Sequence, residues 1–396
     1  MGEWKEVKLG DFLNVKHGYA FKGKNITPEE TENILVTPGN FHIGGGFKSN
    51  KFKYFNGDHP KEYILKEGDV VITMTDLSKA TDTLGYSAKI PFSKNKKYLH
   101  NQRIGLVEFI NEDADKNFIY WLLRTREYQW YIVGSASGTS IMHTSPSRIK
   151  DYEFRLPPLK VQRPIANILT NLDDKIDLLH RQNKTLEAMA ETLFRQWFVE
   201  EANEEMELLD FIEINPRESL KKGIEAPYLE MKNVQSESAN PSNWYYREFK
   251  SGTKFKNGDT VMARITPCLQ NGKKAFIQFL AENEIAWGST EFLVFRTKET
   301  FHPFMSYLLA KNEKFKSFAV KTMTGSSGRQ RVQTDSLKQF NLNKPNEEKI
   351  TELNIYFEKV SMKLKLNASQ IQTLATLRDT LLPKLMNGTV TITTNG

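Results

Sequence analysis

Two loops of this chain combine glycine and serine with side chains that can hydrogen bond to the edges of nucleic-acid bases. The first reads TGSSGRQRVQT from Thr324 to Thr334. Its glycines let a ligand approach the backbone, its arginines can bond guanine at two atoms, and its glutamines suit adenine. The second, GSASGTSIMHTSPSR from Gly134 to Arg148, offers hydroxyl groups, a histidine and an arginine. These residue types favour DNA as the ligand, and a solvated polar turn is the alternative for each loop alone.

Three further segments carry the same kinds of side chain: TMTDLSKATDT, HNQRIG and ARITPCLQNGKKA. Both halves of the chain therefore carry polar loops of this kind. This recurrence favours DNA binding over the chance occurrence of solvated polar turns. The predicted DNA-binding residues are Thr75, Ser78, Lys79, Arg103, Ser137, Thr139, Ser140, His143, Arg148, Arg264, Lys273, Lys274, Arg329, Gln330, Arg331 and Gln333.

The motifs of DNA-modifying enzymes are missing from the sequence. It has neither the Asn/Asp-Pro-Pro-aromatic loop of an amino-methyltransferase nor the GxxxxGK[ST] loop that holds nucleotide phosphates. Two Glu-x-Lys triplets, 230–232 and 248–250, resemble part of a nuclease site, but such triplets arise easily by chance. The single cysteine, Cys268, excludes an intramolecular disulfide, and the seven histidines are scattered. We predict a non-catalytic chain without a metal site or a bound cofactor.

The composition is typical of a globular protein of the cytoplasm. Of the 396 residues, 39% are hydrophobic and 26% are charged. No apolar run approaches the ~18 residues of a membrane span, and the opening segment lacks the apolar core of a signal peptide. The formal net charge of +7 agrees with a polyanionic partner but is common among other proteins.

The chain contains an internal duplication. The repeated segments are KEGDVVITM (66–74) and KNGDTVMAR (256–264), Ser-Gly (137–138) and Ser-Gly (327–328), and RIKDYEFRLP (148–157) and SLKQFNLNKP (336–345). The separation changes only from 190 to 188 positions along the repeat. A chain with two similar halves is expected to have two similar sites.

Each repeat is predicted to have an α+β domain followed by a long helix. The domains, at 1–155 and 206–343, consist of short strands and turns with one aromatic-rich helix each. The helical segments are 156–205 and 344–396. The first helix is expected to begin near Arg163, with Pro164 tolerated in its first turn.

Both helical segments carry apolar residues at alternating steps of four and three, which predicts a coiled coil. Asn183 and Asn367 interrupt this seam, and buried asparagine at such positions usually fixes the register. The predicted seam residues are Leu172, Ile176, Leu179, Asn183, Leu186, Leu193, Trp197, Val360, Leu364, Asn367, Ile371, Leu374, Leu381 and Leu385.

The two helices can pair antiparallel within one chain, and this arrangement would relate the two domains by a pseudo-two-fold axis. A helix of about 35 residues at ~1.5 Å each gives a rod of roughly 50 Å, or on the order of 15 base pairs of duplex. A coiled coil between two copies of the chain is the alternative.

Three segments resemble the specificity subunits of type I restriction-modification systems. They are the helix LPPLKVQRPIANILTNLDDKIDLLHRQNKTLEAMAETLFRQWF, the helix end TLATLRDTLLPKLMNG, and the opening WKEVKLGDF with KHGYAFKGKNI. The resemblance extends over essentially the whole chain, and Pro164 is a departure from the family pattern.

This resemblance implies two target-recognition domains that read the two halves of a bipartite, asymmetric DNA sequence. The two conserved helices would set the spacer between the halves. They would also dock two modification subunits, which bind S-adenosylmethionine. Two restriction subunits, which use ATP and Mg²⁺, would then join this complex. The competing hypotheses are a methyltransferase or nuclease with its own reader domains, and a coiled-coil scaffold without a DNA role.

Overall fold

The structure is a computed structural model that describes residues 4–50, 52–78, 80–201 and 204–392. It divides into two compact units. Unit 1 comprises Met1–Asp174 and Ala375–Gly396, and unit 2 comprises Lys175–Leu374. Each unit therefore contains one part of each long helix.

Unit 1 is built on two sheets. Its strands are β1 (Lys5–Lys8), β2 (Leu13–His17), β3 (Ile26–Thr27), β4 (Asn33–Val36), β5 (Lys53–Phe55), β6 (Ile64–Leu65), β7 (Val70–Thr73), β8 (Thr75–Asp76), β9 (Ser87–Lys89), β10 (Lys97–His100), β11 (Ile104–Phe109), β12 (Met142–His143) and β13 (Glu153–Leu156). One sheet has the antiparallel order β2-β11-β7-β9. The other has the order β3-β5-β4-β10-β6, in which β4 and β10 are parallel.

Unit 2 repeats these two sheets. Its strands are β14 (Glu205–Glu207), β15 (Ile212–Ile214), β16 (Glu225–Leu229), β17 (Tyr245–Glu248), β18 (Thr253–Phe255), β19 (Thr260–Ala263), β20 (Lys274–Phe276), β21 (Ala286–Gly288), β22 (Phe292–Thr297), β23 (Met323–Thr324), β24 (Arg331–Val332) and β25 (Asn341–Asn343). The order β15-β22-β19-β20 matches the antiparallel sheet of unit 1. The order β17-β16-β21-β18 matches the mixed sheet, with β16 and β21 parallel. The predicted duplication is confirmed at the level of strand topology.

The helices are α1 (Lys116–Leu122), α2 (Arg126–Gly134), α3 (Pro146–Lys150), α4 (Leu159–Arg195), α5 (Leu208–Phe211), α6 (Phe304–Lys311), α7 (Glu313–Lys321), α8 (Thr334–Leu337) and α9 (Glu347–Met386). The prediction of one aromatic helix in each repeat is wrong, because each is a pair of helices. Thr125 accepts a hydrogen bond from the Tyr128 N–H and starts α2, and Asn312 starts α7 in the same way.

Helix α4 begins at Leu159, earlier than the expected start near Arg163, and Pro164 consequently lies in its second turn. The carbonyl of Pro158 accepts the first helical hydrogen bonds, from the N–H groups of Val161 and Gln162. The buried Gln162 side chain also donates to the Pro157 carbonyl at 2.7 Å. These contacts extend the helix to the residues directly after the two prolines.

Helices α4 and α9 run antiparallel within each unit, as predicted. In unit 1, Leu169 of α4 belongs to the same hydrophobic core as Leu382 of α9. In unit 2, Asn367 donates to Asn183 at 2.7 Å, and both side chains are buried. Every residue of the predicted seam is buried or partly buried.

Candidate nucleic-acid interface

In unit 1, a short hairpin is fastened to the antiparallel sheet by backbone hydrogen bonds. The N–H of Met74 donates to the carbonyl of Arg103 at 2.9 Å, and the N–H of Thr144 donates to the carbonyl of Met74 at 3.0 Å. These bonds place His143 opposite Thr75 in an antiparallel pair. We define Thr75, Arg103 and His143 as hairpin site 1.

In unit 2, the same backbone arrangement recurs. The N–H of Arg264 donates to the carbonyl of Glu291 at 2.9 Å, and the N–H of Val332 donates to the carbonyl of Arg264 at 2.9 Å. These bonds place Arg331 opposite Ile265 in an antiparallel bridge. We define Ile265, Glu291 and Arg331 as hairpin site 2.

The two hairpin sites correspond residue by residue, but their side chains differ. The equivalent pairs are Thr75 and Ile265, Arg103 and Glu291, and His143 and Arg331. The backbone of the site is thus duplicated, whereas the chemistry that it presents is not.

At hairpin site 1, the exposed His143 lies with its Nδ1 3.1 Å from the hydroxyl oxygen of Thr75. Thr75 is buried, and the side chain of Arg103 is exposed. Only His143 and Arg103 can therefore reach a ligand from this site, and Thr75 orients the histidine ring.

The loop that follows Thr75 is organised by the buried carboxylate of Asp76. This carboxylate accepts hydrogen bonds from the N–H groups of Ser78, Thr83 and Leu84 and from the Thr83 hydroxyl, at 2.6–3.1 Å. Burial raises the pKa of Asp76, but the bonds from Thr83 and Ser78 outweigh it, so the pKa is lowered. The Ser78 hydroxyl donates to Asp82 at 3.0 Å. Predicted residue Lys79 lies outside the described residues.

The loop that precedes His143 is exposed. Ser137, Thr139 and Ser140 are all at the surface, and Arg148 lies partly buried on α3. Gly138 turns the chain with a positive φ of +113°. An added Cβ at this position would lie only 2.0 Å from the Ile141 carbonyl oxygen.

The matching glycine in unit 2 is Gly325, not Gly328 as the Ser-Gly repeat indicated. Gly325 has φ +122° and follows Thr324, which pairs with Arg331 as Ser137 pairs with His143. The loop of unit 2 is therefore one residue longer, which the sequence match did not reveal.

At hairpin site 2, Arg331 forms a two-point ion pair with Glu291. Its Nε donates to the carboxylate at 3.0 Å and its Nη2 at 2.7 Å, and this pairing raises the pKa of Arg331. Arg264 also lies 3.9 Å from Glu291. Two arginines thus share one carboxylate, and the cluster keeps a net positive charge.

The other predicted residues of this loop differ in exposure. Arg329 is exposed. Gln330 is held through its backbone, which donates to the Thr266 hydroxyl at 3.0 Å and accepts from the Thr266 N–H at 3.1 Å. The Gln333 amide donates to the Thr324 hydroxyl at 2.5 Å.

The two predicted lysines of unit 2 differ in burial: Lys274 lies inside the fold, and Lys273 is partly exposed. Lys274 is buried, and its ammonium donates to the carbonyls of Ser236 and Gly272 at 3.0 and 3.1 Å. Burial, assisted by nearby Lys311, lowers the pKa of Lys274 to about 8. Lys273 donates to the Met231 carbonyl at 2.7 Å. The burial of Lys274 corrects its prediction as a DNA contact, whereas Lys273 stays a predicted contact.

The sequence reading missed Glu291, the residue that holds Arg331. A signal was present, because Glu291 lies 188 positions after Arg103 of the HNQRIG loop, the separation that relates the strands that follow. It also missed the exposed apolar residues Leu77 and Ile141, which flank the β8–β12 pair. No periodic pattern marks a single exposed apolar residue.

Comparison with known proteins shows which proteins the chain is similar to. Residues 1–188 match the family described as the type I restriction modification DNA specificity domain. The chain is 25% identical over 199 residues to the specificity subunit of the type I restriction enzyme MjaVIII of Methanocaldococcus jannaschii, covering 48% of this chain and 42% of that protein. The first half of the chain is therefore similar to type I specificity subunits. The chain is also 27% identical over 213 residues to the HindI specificity subunit of Haemophilus influenzae, covering 50% of this chain and 42% of that protein.

A solved structure extends the comparison to the whole fold. The type I restriction-modification S subunit from M. genitalium superposes with a TM-score of 0.56 at 16% identity, covering 97% of this chain and 96% of the other. At that identity the likeness concerns the fold alone. The sequence alignments with the curated relatives span less than half the length of those proteins.

Within residues 4–50, 52–78, 80–201 and 204–392, no cluster of three or more His, Cys, Asp or Glu side chains is placed to bind a metal ion. In the same part of the chain, none of the helices combines the length and apolarity needed to cross a membrane.

Proposed function

We propose that this chain binds duplex DNA as the specificity subunit of a type I restriction-modification complex. Unit 1 reads one half of a bipartite, asymmetric target, and unit 2 reads the other half. The observation that carries the proposal is the pair of hairpin sites, in which one backbone arrangement presents His143 in unit 1 and Arg331 in unit 2. Equivalent scaffolds with unlike side chains suit two unlike DNA sequences.

The long helices are the docking surface for partner subunits in this proposal. Support comes from large apolar side chains that they leave exposed, although helices in water normally bury such residues. The exposed apolar residues of α4 and α9 are Leu178, Met189, Ile355, Met362, Leu366 and Leu377. We infer that two modification subunits dock on these helices and that two restriction subunits join them.

The chemistry of the complex resides in those partners. The modification subunits would bind S-adenosylmethionine, and the restriction subunits would use ATP and Mg²⁺. The present chain would be non-catalytic, would act in the cytoplasm, and would set the spacer between the two half-sites with its paired helices.

The decisive experiment is a selection from a pool of duplexes with a random central region, using the full chain alone and together with its modification subunits. We expect enrichment of two separated words with an unspecified spacer. Binding should also weaken steeply with salt, because phosphate contacts release counterions.

Three outcomes would contradict the proposal. Recovery of random duplexes would remove the sequence-reading role. Binding that does not respond to salt would favour a coiled-coil scaffold. Transfer of a methyl group by this chain alone would establish an enzyme with its own reader domains.

A further inference from the structure

The ion pair between Arg331 and Glu291 is not needed to build the hairpin that carries it. The backbone bond from Val332 to Arg264, at 2.9 Å, already fastens the hairpin, and reciprocal bonds join Thr266 to Gln330. Unit 1 provides an internal control. Its equivalent hairpin forms with histidine and arginine at the positions of Arg331 and Glu291.

The ion pair leaves one edge of the Arg331 guanidinium for a ligand. An arginine has five N–H donors in a rigid plane. Glu291 accepts from Nε and from one hydrogen of Nη2, at 3.0 and 2.7 Å. Within the described residues, the contact of Nη1 is a long one of 3.4 Å to the Arg329 carbonyl. One Nη1 and one Nη2 hydrogen therefore remain, side by side on the terminal edge.

The Arg331 side chain is 42% exposed and Glu291 is 23% exposed, so the carboxylate is the more sheltered partner. Two parallel donors match the O6 and N7 acceptors of guanine in the major groove. Adenine presents a donor at N6 and would be rejected by an edge made only of donors. A phosphate is the competing ligand, because Arg264 leaves the cluster with a net positive charge and phosphate also accepts two parallel donors.

We propose that Arg331 reads a guanine in the half-site of unit 2, and that Glu291 is the positioning residue that orients its terminal edge. This inference rests on the proposed DNA-reading function and assigns one base to one residue. The matching position of unit 1, His143, presents a single ring and cannot form the same two-point contact.

The test is the duplex selection repeated with Arg331→His, Arg331→Ala and Glu291→Gln in the full chain. Arg331→His installs the residue that unit 1 carries at the equivalent position, so the hairpin is expected to stay folded. Both Arg331 variants should lose a guanine preference at one position of one half-site, by about 5- to 150-fold. The other half-site should be unchanged.

Glu291→Gln should weaken the same guanine preference while the rest of the recognised sequence stays the same. The matched control is Glu282→Gln, which removes one negative charge from an exposed position of unit 2. This control should raise general DNA affinity slightly at low salt and leave every base preference intact.

Two results would overturn the inference. If the Arg331 variants bound all duplexes more weakly with unchanged base preferences, Arg331 would be a phosphate contact. If Glu291→Gln behaved like Glu282→Gln, Glu291 would have no positioning role. Absence of any preference in the unmodified chain is a separate outcome, which would remove the proposed function itself.

Discussion

The two units share strand order and hairpin backbone, and they differ in the side chains that this backbone carries outward. Unit 1 presents His143 beside the exposed apolar residues Leu77 and Ile141, which are 54% and 39% exposed. Unit 2 presents Arg329 and the ion-paired Arg331 at the corresponding edge. Because backbone bonds hold both hairpins, the side chains are free to diverge without loss of the fold.

The units also differ in how they are fastened to the long helices. In unit 1, the buried Arg124 donates to Asp173 of α4 at 2.7 Å. In unit 2, the buried Glu187 of α4 accepts from the Tyr307 hydroxyl at 2.7 Å and from Lys311 at 3.3 Å. The carboxylate that receives the domain thus lies at a different turn of α4 in each case, partly exposed in unit 1 and buried in unit 2.

The largest expected effect is that of Asp173→Ala on unit 1. Only 4% of the Arg124 side chain is exposed, so its charge would be left buried without its carboxylate partner. We expect a loss of about 3–5 kcal/mol in the free energy of unfolding, measured with denaturant. Lys311→Met in unit 2 should cost only about 1–2 kcal/mol, because the buried Glu187 keeps the hydrogen bonds that it accepts from the Tyr307 hydroxyl and the Ala239 N–H. Equal losses would refute this contrast, and Asp174→Ala, at an exposed position of α4, is the control.

The second prediction concerns a pH response confined to unit 1. His100 ends β10 and is fully buried, whereas Gly288 ends the matching strand β21. Burial lowers the pKa of His100 from 6.5 to about 4, although a bond to the Ile104 carbonyl opposes the shift. The unfolded chain therefore binds the proton more strongly, and stability falls as the pH drops from about 6.5 towards 4.

From neutral pH to pH 4.5 this response should amount to about 2–3 kcal/mol. The measurement is the free energy of unfolding of the unmodified chain and of His100→Gln across that range. His100→Gln should flatten the dependence by that amount, while the exposed His17→Gln should not. An unaltered slope in His100→Gln would show that other groups cause the response.

The third prediction separates the reading roles of the two units. His143→Ala should lower discrimination by about 1–3 kcal/mol at one position, in the half-site that Arg331 does not read. The position should emerge from the duplex selection as a single relaxed base. Relaxation in both half-sites would mean that each half-site is not read by one unit alone.

The smallest expected effects are those of Arg329→Ala at the charged edge of unit 2 and of Leu77→Ser at the apolar edge of unit 1. Arg329 has no side-chain hydrogen bond within the described residues, so we expect a phosphate contact. Arg329→Ala should reduce the salt slope of binding by about one and lower affinity by less than 1 kcal/mol at physiological salt. Leu77→Ser should also weaken binding slightly, but with an unchanged salt slope. Identical slopes for both variants would contradict the difference in chemistry between the two edges.

Much of the architecture could be predicted because it depends on periodic patterns. The seam of α4 and α9 recurs every seven residues, and the repeat of Gly68 at Gly258 marks the duplicated turn. The split of each aromatic helix was missed because Thr125 and Asn312 act as caps only when their side chains turn back onto the backbone. Residue type alone does not distinguish a cap from a polar surface residue.

The site was harder to predict than the fold. His143 and Arg331 were both singled out by residue type, but their equivalence depends on hydrogen bonds between segments far apart in sequence. Lys274 is of a residue type that often contacts DNA, but it is buried and donates to loop carbonyls. Whether a lysine reaches solvent depends on tertiary packing, which a local motif does not encode.

The division of the chain has a consequence for the order in which the protein folds during synthesis. Unit 2 is one continuous segment, Lys175–Leu374, and can close its core once that segment has left the ribosome. The core of unit 1 includes Leu382, Leu385 and Met386, which are synthesised more than 200 residues after Asp174. The first domain to be translated is therefore the last to be completed, and it must wait for the second with part of its apolar surface uncovered.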